Sequence, residues 1–274
     1  MDNRAIGIFD SGLGGLTAVK ELRRLLPNEH IIYFGDTGRV PYGSRGRAII
    51  QKYAMQDIAF LKQHDVKLIL AACGTASSAL TPQQTDCIGI PYSGVVLPSA
   101  QAACAATVSG RIGVIGTSAT VRSGAYGRAI RSIRPDVHVF GNACPLFVPL
   151  VENGFIQPDN EITTKVAEQY LLPMRKEQID VLILGCTHYP LIYSIIDRIF
   201  ESKVTLIDPG REVARWAQGY LAQHGLLGEG DGRCEFYVSD SPEGFTETAA
   251  LFMGENIKSD VTQVDIDAIS ELAL

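Results

Sequence analysis

The sequence lacks several features that would place it in a specialised class. No apolar run approaches the roughly 18 residues of a membrane-spanning helix, and the N-terminus enters a predicted strand without a signal-peptide core. Six cysteines among 274 residues are too few for a disulfide scaffold, and neither a CxxC pair nor zinc-ligand spacing occurs. We therefore expect a cytoplasmic protein with reduced thiols, no metal site and no membrane partner.

Basic charge is also scarce. Lys and Arg number 24 against 30 Asp and Glu, which gives a net charge of −6 and a pI near 5.4. Because nucleic acids attract clustered cationic side chains, this balance argues against a nucleic-acid partner and favours a small molecule. A hydrophobic content of 46% describes an ordinary globular chain, and the length predicts two domains.

Short aliphatic runs alternate with stretches of helical spacing. Runs that predict buried strands lie at 5–9, 30–34, 66–72, 88–90, 93–96, 111–115, 137–140, 181–184, 204–207, 234–238 and 261–266. Such alternation is typical of an α/β fold with doubly wound parallel sheets.

Two predicted strands lead directly into cysteine. The run at 66–72 is followed by Cys73, and the run at 181–184 is followed by Cys186. Since ligands collect at the carboxyl ends of parallel strands, the two thiols are expected at ligand-binding edges. The other cysteines have no such pairing and are expected to be core or surface thiols: Cys87, Cys104, Cys144 and Cys234.

The chain repeats this design in two halves. A glycine-rich turn containing Ser11 precedes Cys73 by 62 residues, and a similar turn containing Ser118 precedes Cys186 by 68. We infer two similar lobes with the active site in the cleft between them. The first lobe is predicted to be discontinuous, and the proposed limits are 1–97 plus 208–274 for the first lobe and 98–207 for the second. The segments at 97–99 and 208–210 are expected to act as hinges when a ligand binds.

Two thiols facing one cleft suit a nearly symmetric reaction, in which one residue removes a proton and another returns it on the opposite face. Racemisation and epimerisation are reactions of this kind. A thiol near neutral pKa can serve as base in one direction and acid in the other. Asp10 and His188 are candidates to adjust the thiols, whereas spacing alone makes Glu152 an ordinary solvated charge.

With these residues assembled, the chain resembles the cofactor-independent aspartate/glutamate racemase family, and within it the glutamate racemases. The resemblance lies in GIFDSGLGGLTAVKEL (7–22), YFGDTGRVPYGSR (33–45), AACGTASSAL (71–80), GVIGTSATVRSGAY (113–126), CPLFVPLVENG (144–154) and LILGCTHYPLI (182–192). It implies interconversion of L- and D-glutamate without a cofactor, for peptidoglycan synthesis and hence the cell wall and cell shape. A homodimer is left open.

The resemblance also implies roles for individual residues. Cys73 is expected to act on the D enantiomer and Cys186 on the L enantiomer, with Asp10, Glu152 and His188 assisting. The implied substrate contacts are Asp10, Ser11, Tyr42, Gly43, Gly74, Thr75, Thr187 and His188. Gly74 departs from the family pattern, which usually has asparagine there.

Two alternatives stay open at this point. An aspartate racemase of the same fold would share both cysteines and differ in pocket length. A non-catalytic module that binds an amino acid or an anion would need the turns but not the thiols.

Overall fold

The structure, a computed structural model, is an α/β fold with two parallel sheets. It describes residues 1–255, 257 and 261–269, apart from the side chain of residue 247. The strands of this part are β1 (Ala5–Asp10), β2 (Ile31–Gly35), β3 (Val66–Ala71), β4 (Tyr92–Gly94), β5 (Arg111–Gly116), β6 (His138–Ala143), β7 (Val181–Leu184), β8 (Thr205–Ile207), β9 (Cys234–Val238) and β10 (Val261–Gln263). The predicted fold class is confirmed.

Helices separate and flank these strands. They are α1 (Leu16–Leu25), α2 (Arg47–Lys62), α3 (Gly74–Ala79), α4 (Pro82–Asp86), α5 (Val96–Ala106), α6 (Ser118–Ser123), α7 (Ala125–Ile133), α8 (Phe147–Glu152), α9 (Glu161–Lys176), α10 (Tyr193–Ile199), α11 (Pro209–Gln223) and α12 (Pro242–Met253). Short 3-10 turns cover Thr37–Arg39, Tyr42–Ser44, Tyr189–Ile192 and Ile266–Ala268. Within the described ranges, no helix combines the length and the apolar character needed to cross a membrane.

The two sheets draw on different parts of the chain. One has the order β10-β9-β2-β1-β3-β4 and so joins strands from both ends of the sequence, while the other has the order β6-β5-β7-β8. The lobe limits at 97/98 and 207/208 stay a prediction, and residues 256, 258–260 and 270–274 of the first predicted lobe lie outside the described part.

The central strands are mostly apolar because both faces of each sheet are covered. In β3, Leu68 and Leu70 pack into the cluster that contains α1, whereas Ile69 packs into the cluster that contains α2. Successive side chains of a strand point to opposite faces, so one uninterrupted aliphatic run supplies two cores. This packing fixes the direction of the strand that leads into Cys73.

One predicted strand is absent, and the two predicted hinge segments lie at the starts of helices. No strand forms at 88–90, because Gly89 adopts a left-handed turn with φ of +71°. Helix α5 begins at Val96, so residues 97–99 lie in its first turn, and their role as a hinge stays a prediction. Likewise 208–210 is a helix start, because the Asp208 side chain accepts the backbone N–H of Gly210 at 2.9 Å.

A buried ion pair lies at the amino end of β3, at the opposite end of this strand from Cys73. Lys67 Nζ lies 2.5 Å from Glu29 Oε2, and the two side chains are 0% and 2% exposed. The ammonium also donates to the carbonyls of Asp2 and Leu226, while the Glu29 carboxylate accepts the N–H of Gly228. The pair therefore links the start of β3 to two distant chain segments.

We expect Lys67→Ala to lower the free energy of unfolding by about 3–5 kcal/mol, because it leaves the Glu29 carboxylate buried without its cation. Urea denaturation measures the change. Lys203→Ala is the matched control, since its ion pair with Glu201 is exposed and should contribute at most about 1 kcal/mol. Equal losses in the two variants would contradict the role given to burial.

Candidate active site

The carboxyl ends of the two sheets face one another across a cavity of about 410 Å³. Loops that follow β1, β2 and β3 form one wall, and loops that follow β5, β6 and β7 form the other. Ten of the predicted site residues line it: Ser11, Tyr42, Gly43, Cys73, Gly74, Thr75, Glu152, Cys186, Thr187 and His188. Asp10 is the predicted residue that does not.

Cys73 lies at the end of β3, where its backbone begins helix α3. The thiol is 4% exposed, donates to Ser11 Oγ at 3.3 Å and accepts the N–H of Ala76 at 3.4 Å. Burial, reinforced by the negative charge of Asp10, raises the pKa of Cys73 to about 12. At neutral pH Cys73 is therefore a neutral thiol, which can serve as an acid.

Cys186 enters the cavity from the opposite sheet with a different neighbour. His188 Nδ1 lies 3.8 Å from Cys186 Sγ, and His188 Nε2 lies 2.9 Å from Glu152 Oε1. Burial alone would lower the pKa of His188, but the bonds to Cys186 and Glu152 outweigh it and raise the pKa to about 10. An imidazolium therefore stands beside the Cys186 thiol at neutral pH.

Asp10 lies behind the cavity wall and is 0% exposed. Its Oδ2 accepts the N–H of Gly12 at 3.0 Å, while Oδ1 has no hydrogen-bond partner among the described residues. Burial raises the pKa of Asp10, and the charge of His188 opposes this. The charge of Asp10 acts on Cys73 and on His188, the neighbour of Cys186. Its carboxylate does not line the cavity.

Tyr42 lines the cavity, yet its hydroxyl is directed elsewhere. That hydroxyl donates to Asp36 and lies 3.1 Å from Asp57 Oδ2, and Arg39 bridges the same two carboxylates at 2.7 and 3.1 Å. Both carboxylates are fully buried, and burial together with the charge of Asp36 raises the pKa of Asp57 well above its ordinary value. This network anchors the loop that carries Gly43.

Several lining residues were not predicted. Thr117 and Ser118 belong to the second glycine-rich turn and line the cavity. The similarity of this turn to the first one, which contains Ser11, could have predicted that they face the cleft. Nothing in the local sequence predicts that five further apolar residues line the same cavity: Val40, Pro41, Pro145, Val148 and Pro149. Ser44 also lines the cavity, and the side chains named as lining it include no Lys or Arg.

A metal centre is not formed by the residues that the structure describes, since they contain no group of three or more His, Cys, Asp or Glu side chains arranged to hold an ion. The six cysteines are all free thiols.

Known proteins resemble this chain along nearly its whole length. A sequence profile of the Asp/Glu/Hydantoin racemase family matches residues 15–217. A glutamate racemase of Geobacter metallireducens is 44% identical over 270 residues, which cover 98% of this chain and 99% of that protein.

Solved structures give the same result. The glutamate racemase RacE1 of Bacillus anthracis superimposes with a TM-score of 0.92 at 38% identity, covering 97% of this chain and 98% of that one. A glutamate racemase of Francisella tularensis, solved in complex with D-glutamate, has a TM-score of 0.90 at 39% identity, covering 98% of this chain and 100% of that one.

We expect Glu152→Gln to lower the titration midpoint of His188, because it removes the carboxylate that stabilises the imidazolium. A neighbouring opposite charge usually shifts a pKa by about 1–3 units. Because the Glu152 side chain is 41% exposed and therefore screened by water, we expect a decrease of about one pH unit. Imidazole nitrogen NMR measures the midpoint. Glu161→Gln, an exposed position outside the cavity lining, is the control and should leave the midpoint unchanged.

Proposed function

The chain belongs to the Asp/Glu/Hydantoin racemase family, and we propose that it interconverts L- and D-glutamate by proton transfer at Cα between Cys73 and Cys186. It is an amino-acid racemase, an isomerase. One observation carries the mechanism: two buried thiols from different sheets line one cavity, each with its own electrostatic environment. Two observations support glutamate as the substrate. The relative from Geobacter metallireducens is a glutamate racemase, and the structure from Francisella tularensis contains D-glutamate.

The reaction begins from the unequal state of the two thiols. The Cys186 thiolate, held beside the His188 imidazolium, takes the Cα proton of L-glutamate. The neutral Cys73 thiol then gives its proton to the opposite face, and D-glutamate leaves. The C–H bond broken on one face is replaced by a C–H bond on the other, so the reaction needs no oxidant or cofactor, while the enzyme ends with its thiol proton on Cys186 instead of Cys73.

The carbanion intermediate requires stabilisation of the charge that passes into the α-carboxylate. Hydroxyl groups and glycine backbone surround the space, including Ser11, Thr187 and the main chain of Gly43. Donors fixed before the reaction stabilise developing charge without having to reorganise. Among the residues that line the cavity, His188 is a cationic donor for this charge. We assign Glu152 the role of orienting the His188 ring through the 2.9 Å bond to Nε2.

We assign the reaction to the cytoplasm and its product, D-glutamate, to peptidoglycan synthesis. Both thiols must stay reduced to carry protons, and a reducing compartment keeps them so. The free state of all six cysteines is consistent with this assignment.

Replacing either proposed catalytic thiol should strongly reduce racemisation. Cys73→Ser and Cys186→Ser are each expected to lower turnover by about 10²–10⁴-fold, because an alcohol is a far weaker proton carrier than a thiol. Polarimetry follows racemisation, and NMR in heavy water follows deuterium entry at Cα. Cys87→Ser, at an exposed thiol away from the cavity, is the control.

The outcomes separate the candidate functions. A binding module would show glutamate binding without deuterium entry even in the unmodified protein. Near-normal racemisation in both directions by either serine variant would show that the two-thiol mechanism is wrong.

Glutamate should remain the preferred substrate although Gly74 replaces the usual asparagine. Losing one amide hydrogen bond costs about 0.5–1.5 kcal/mol, or up to roughly 3 for a charged partner, which weakens binding without removing the chemistry. The backbone near Gly74 can approach the ligand more closely and recover part of that loss. Comparing kcat/KM for glutamate and aspartate tests this, and a clear preference for aspartate would contradict it.

A further inference from the structure

Two buried carboxylates share one hydroxyl group beside the cavity. Asp36 follows β2, Asp57 lies in α2, and both residues are 0% exposed. The hydroxyl of Tyr42, a residue that lines the cavity, is within hydrogen-bond distance of both, and it lies 3.1 Å from Asp57 Oδ2. The proposed reaction uses neither carboxylate, so their arrangement needs an explanation of its own.

The number of hydrogens in this group is too small for two ionised carboxylates. A phenol has one hydrogen to donate, whereas an ionised carboxylate only accepts. Because the Tyr42 hydroxyl donates to Asp36, its hydrogen is not available to Asp57. A hydrogen on Asp57 Oδ2 completes the contact, since the neutral acid donates to the Tyr42 oxygen while Asp57 Oδ1 still accepts from Arg39 at 3.1 Å.

The balance of charge leads to the same result. Arg39 forms ion pairs with both carboxylates, so two ionised groups would leave one buried negative charge in excess of a single guanidinium. Burial, and then the charge of Asp36, raise the pKa of Asp57 well above its usual value, with Asp10 acting in the same direction and Arg39 opposing it. Asp267 lies 3.7 Å from Arg39, is 82% exposed and adds a further negative charge.

The hydrogen-bond donors decide which carboxylate keeps its charge. Asp36 accepts from Arg39 Nε and from Ser239 Oγ, each at 2.7 Å, and it also accepts the hydroxyl hydrogen of Tyr42. Asp57 accepts a longer bond from Arg39, at 3.1 Å. Since donated hydrogen bonds stabilise the charged form of a carboxylate, the negative charge resides on Asp36 and the proton on Asp57.

We propose that Asp57 is a neutral carboxylic acid in the folded protein and a positioning residue, because its donation to the Tyr42 hydroxyl holds the loop that brings Tyr42 and Gly43 to the cavity. The neutral form also keeps one negative charge away from a cavity that is expected to receive the two carboxylates of glutamate. The positioning role rests on the proposed function, whereas the protonation of Asp57 does not.

Folding then takes up a proton at Asp57, and denaturation measures this uptake. In the unfolded chain an aspartate is ionised above its ordinary pKa of about 3.9, whereas the folded protein keeps the proton. Stability therefore falls as pH rises through this window. Asp57→Asn keeps a donor and does not titrate. Between pH 5 and 7, the unfolding equilibrium constant of the unmodified protein should rise by about tenfold per pH unit relative to that of this variant.

Urea denaturation at several pH values gives the ratio of the two constants. Asp159→Asn, at an exposed position outside the cavity lining, is the matched control, and its ratio should not change with pH. If the ratio for Asp57→Asn is equally independent of pH, Asp57 is ionised in the folded protein and the proposal is overturned.

Carboxyl carbon NMR of the unmodified protein provides a second measurement, which stands even if Asp57→Asn does not fold. In protein labelled with ¹³C-aspartate, the Asp57 side chain should have the chemical shift of a neutral acid at pH 7. Asp159 should titrate at about pH 4, as an exposed aspartate does. The chemical shift of an ionised carboxylate at Asp57 at pH 7 would contradict the proposal.

Kinetics test the positioning role. Asp57→Ala removes the donor to Tyr42 and should lower kcat/KM by about three- to tenfold, which is the equivalent of one hydrogen bond. Asp57→Asn keeps that donor and should stay within about twofold of the unmodified protein. Equal losses in the two variants would overturn the positioning role. Proton uptake at Asp57 in a protein that does not racemise glutamate would uphold the neutral acid and reject the proposed function.

Discussion

The proposed reaction depends on one electrostatic constraint, which is that two thiols in one cavity must differ in protonation state. Two thiolates would repel each other and the substrate carboxylates, while two thiols would provide no base. The two thiols have different surroundings. Cys73 is desolvated near the Asp10 carboxylate, and Cys186 stands beside the His188 imidazolium, which Glu152 supports. Each sheet thus contributes a thiol together with a charged neighbour.

This asymmetry is limited by the overall equilibrium. L- and D-glutamate have equal free energies in water, so kcat/KM must be the same in the two directions whatever the resting state of the thiols. The different environments of Cys73 and Cys186 can therefore appear in kcat and KM separately, but they must cancel in the ratio. After each turnover the proton resides on the other thiol, and return to the resting state is a step of the cycle in its own right.

Local sequence predicted the parts of the site that depend on strand ends. The aliphatic runs before Cys73 and Cys186 were sufficient to place both at the carboxyl edges of parallel sheets. The exact helix starts at 97–99 and 208–210 could not be read from local sequence, although proline is tolerated in the first turn of a helix at both places. The Tyr42 hydroxyl was unpredictable because its partner Asp57 lies on helix α2, and only the tertiary fold brings the two together.

Each thiol follows a residue whose backbone is bonded into its own sheet. Ala72, before the first thiol, donates its N–H to Phe9 in β1, and Gly185, before the second thiol, donates its N–H to Ile115 in β5. Both thiols are thus attached to strand ends that are bonded into their own sheets. Their separation therefore depends on the arrangement of the two sheets and not on the conformation of a surface loop.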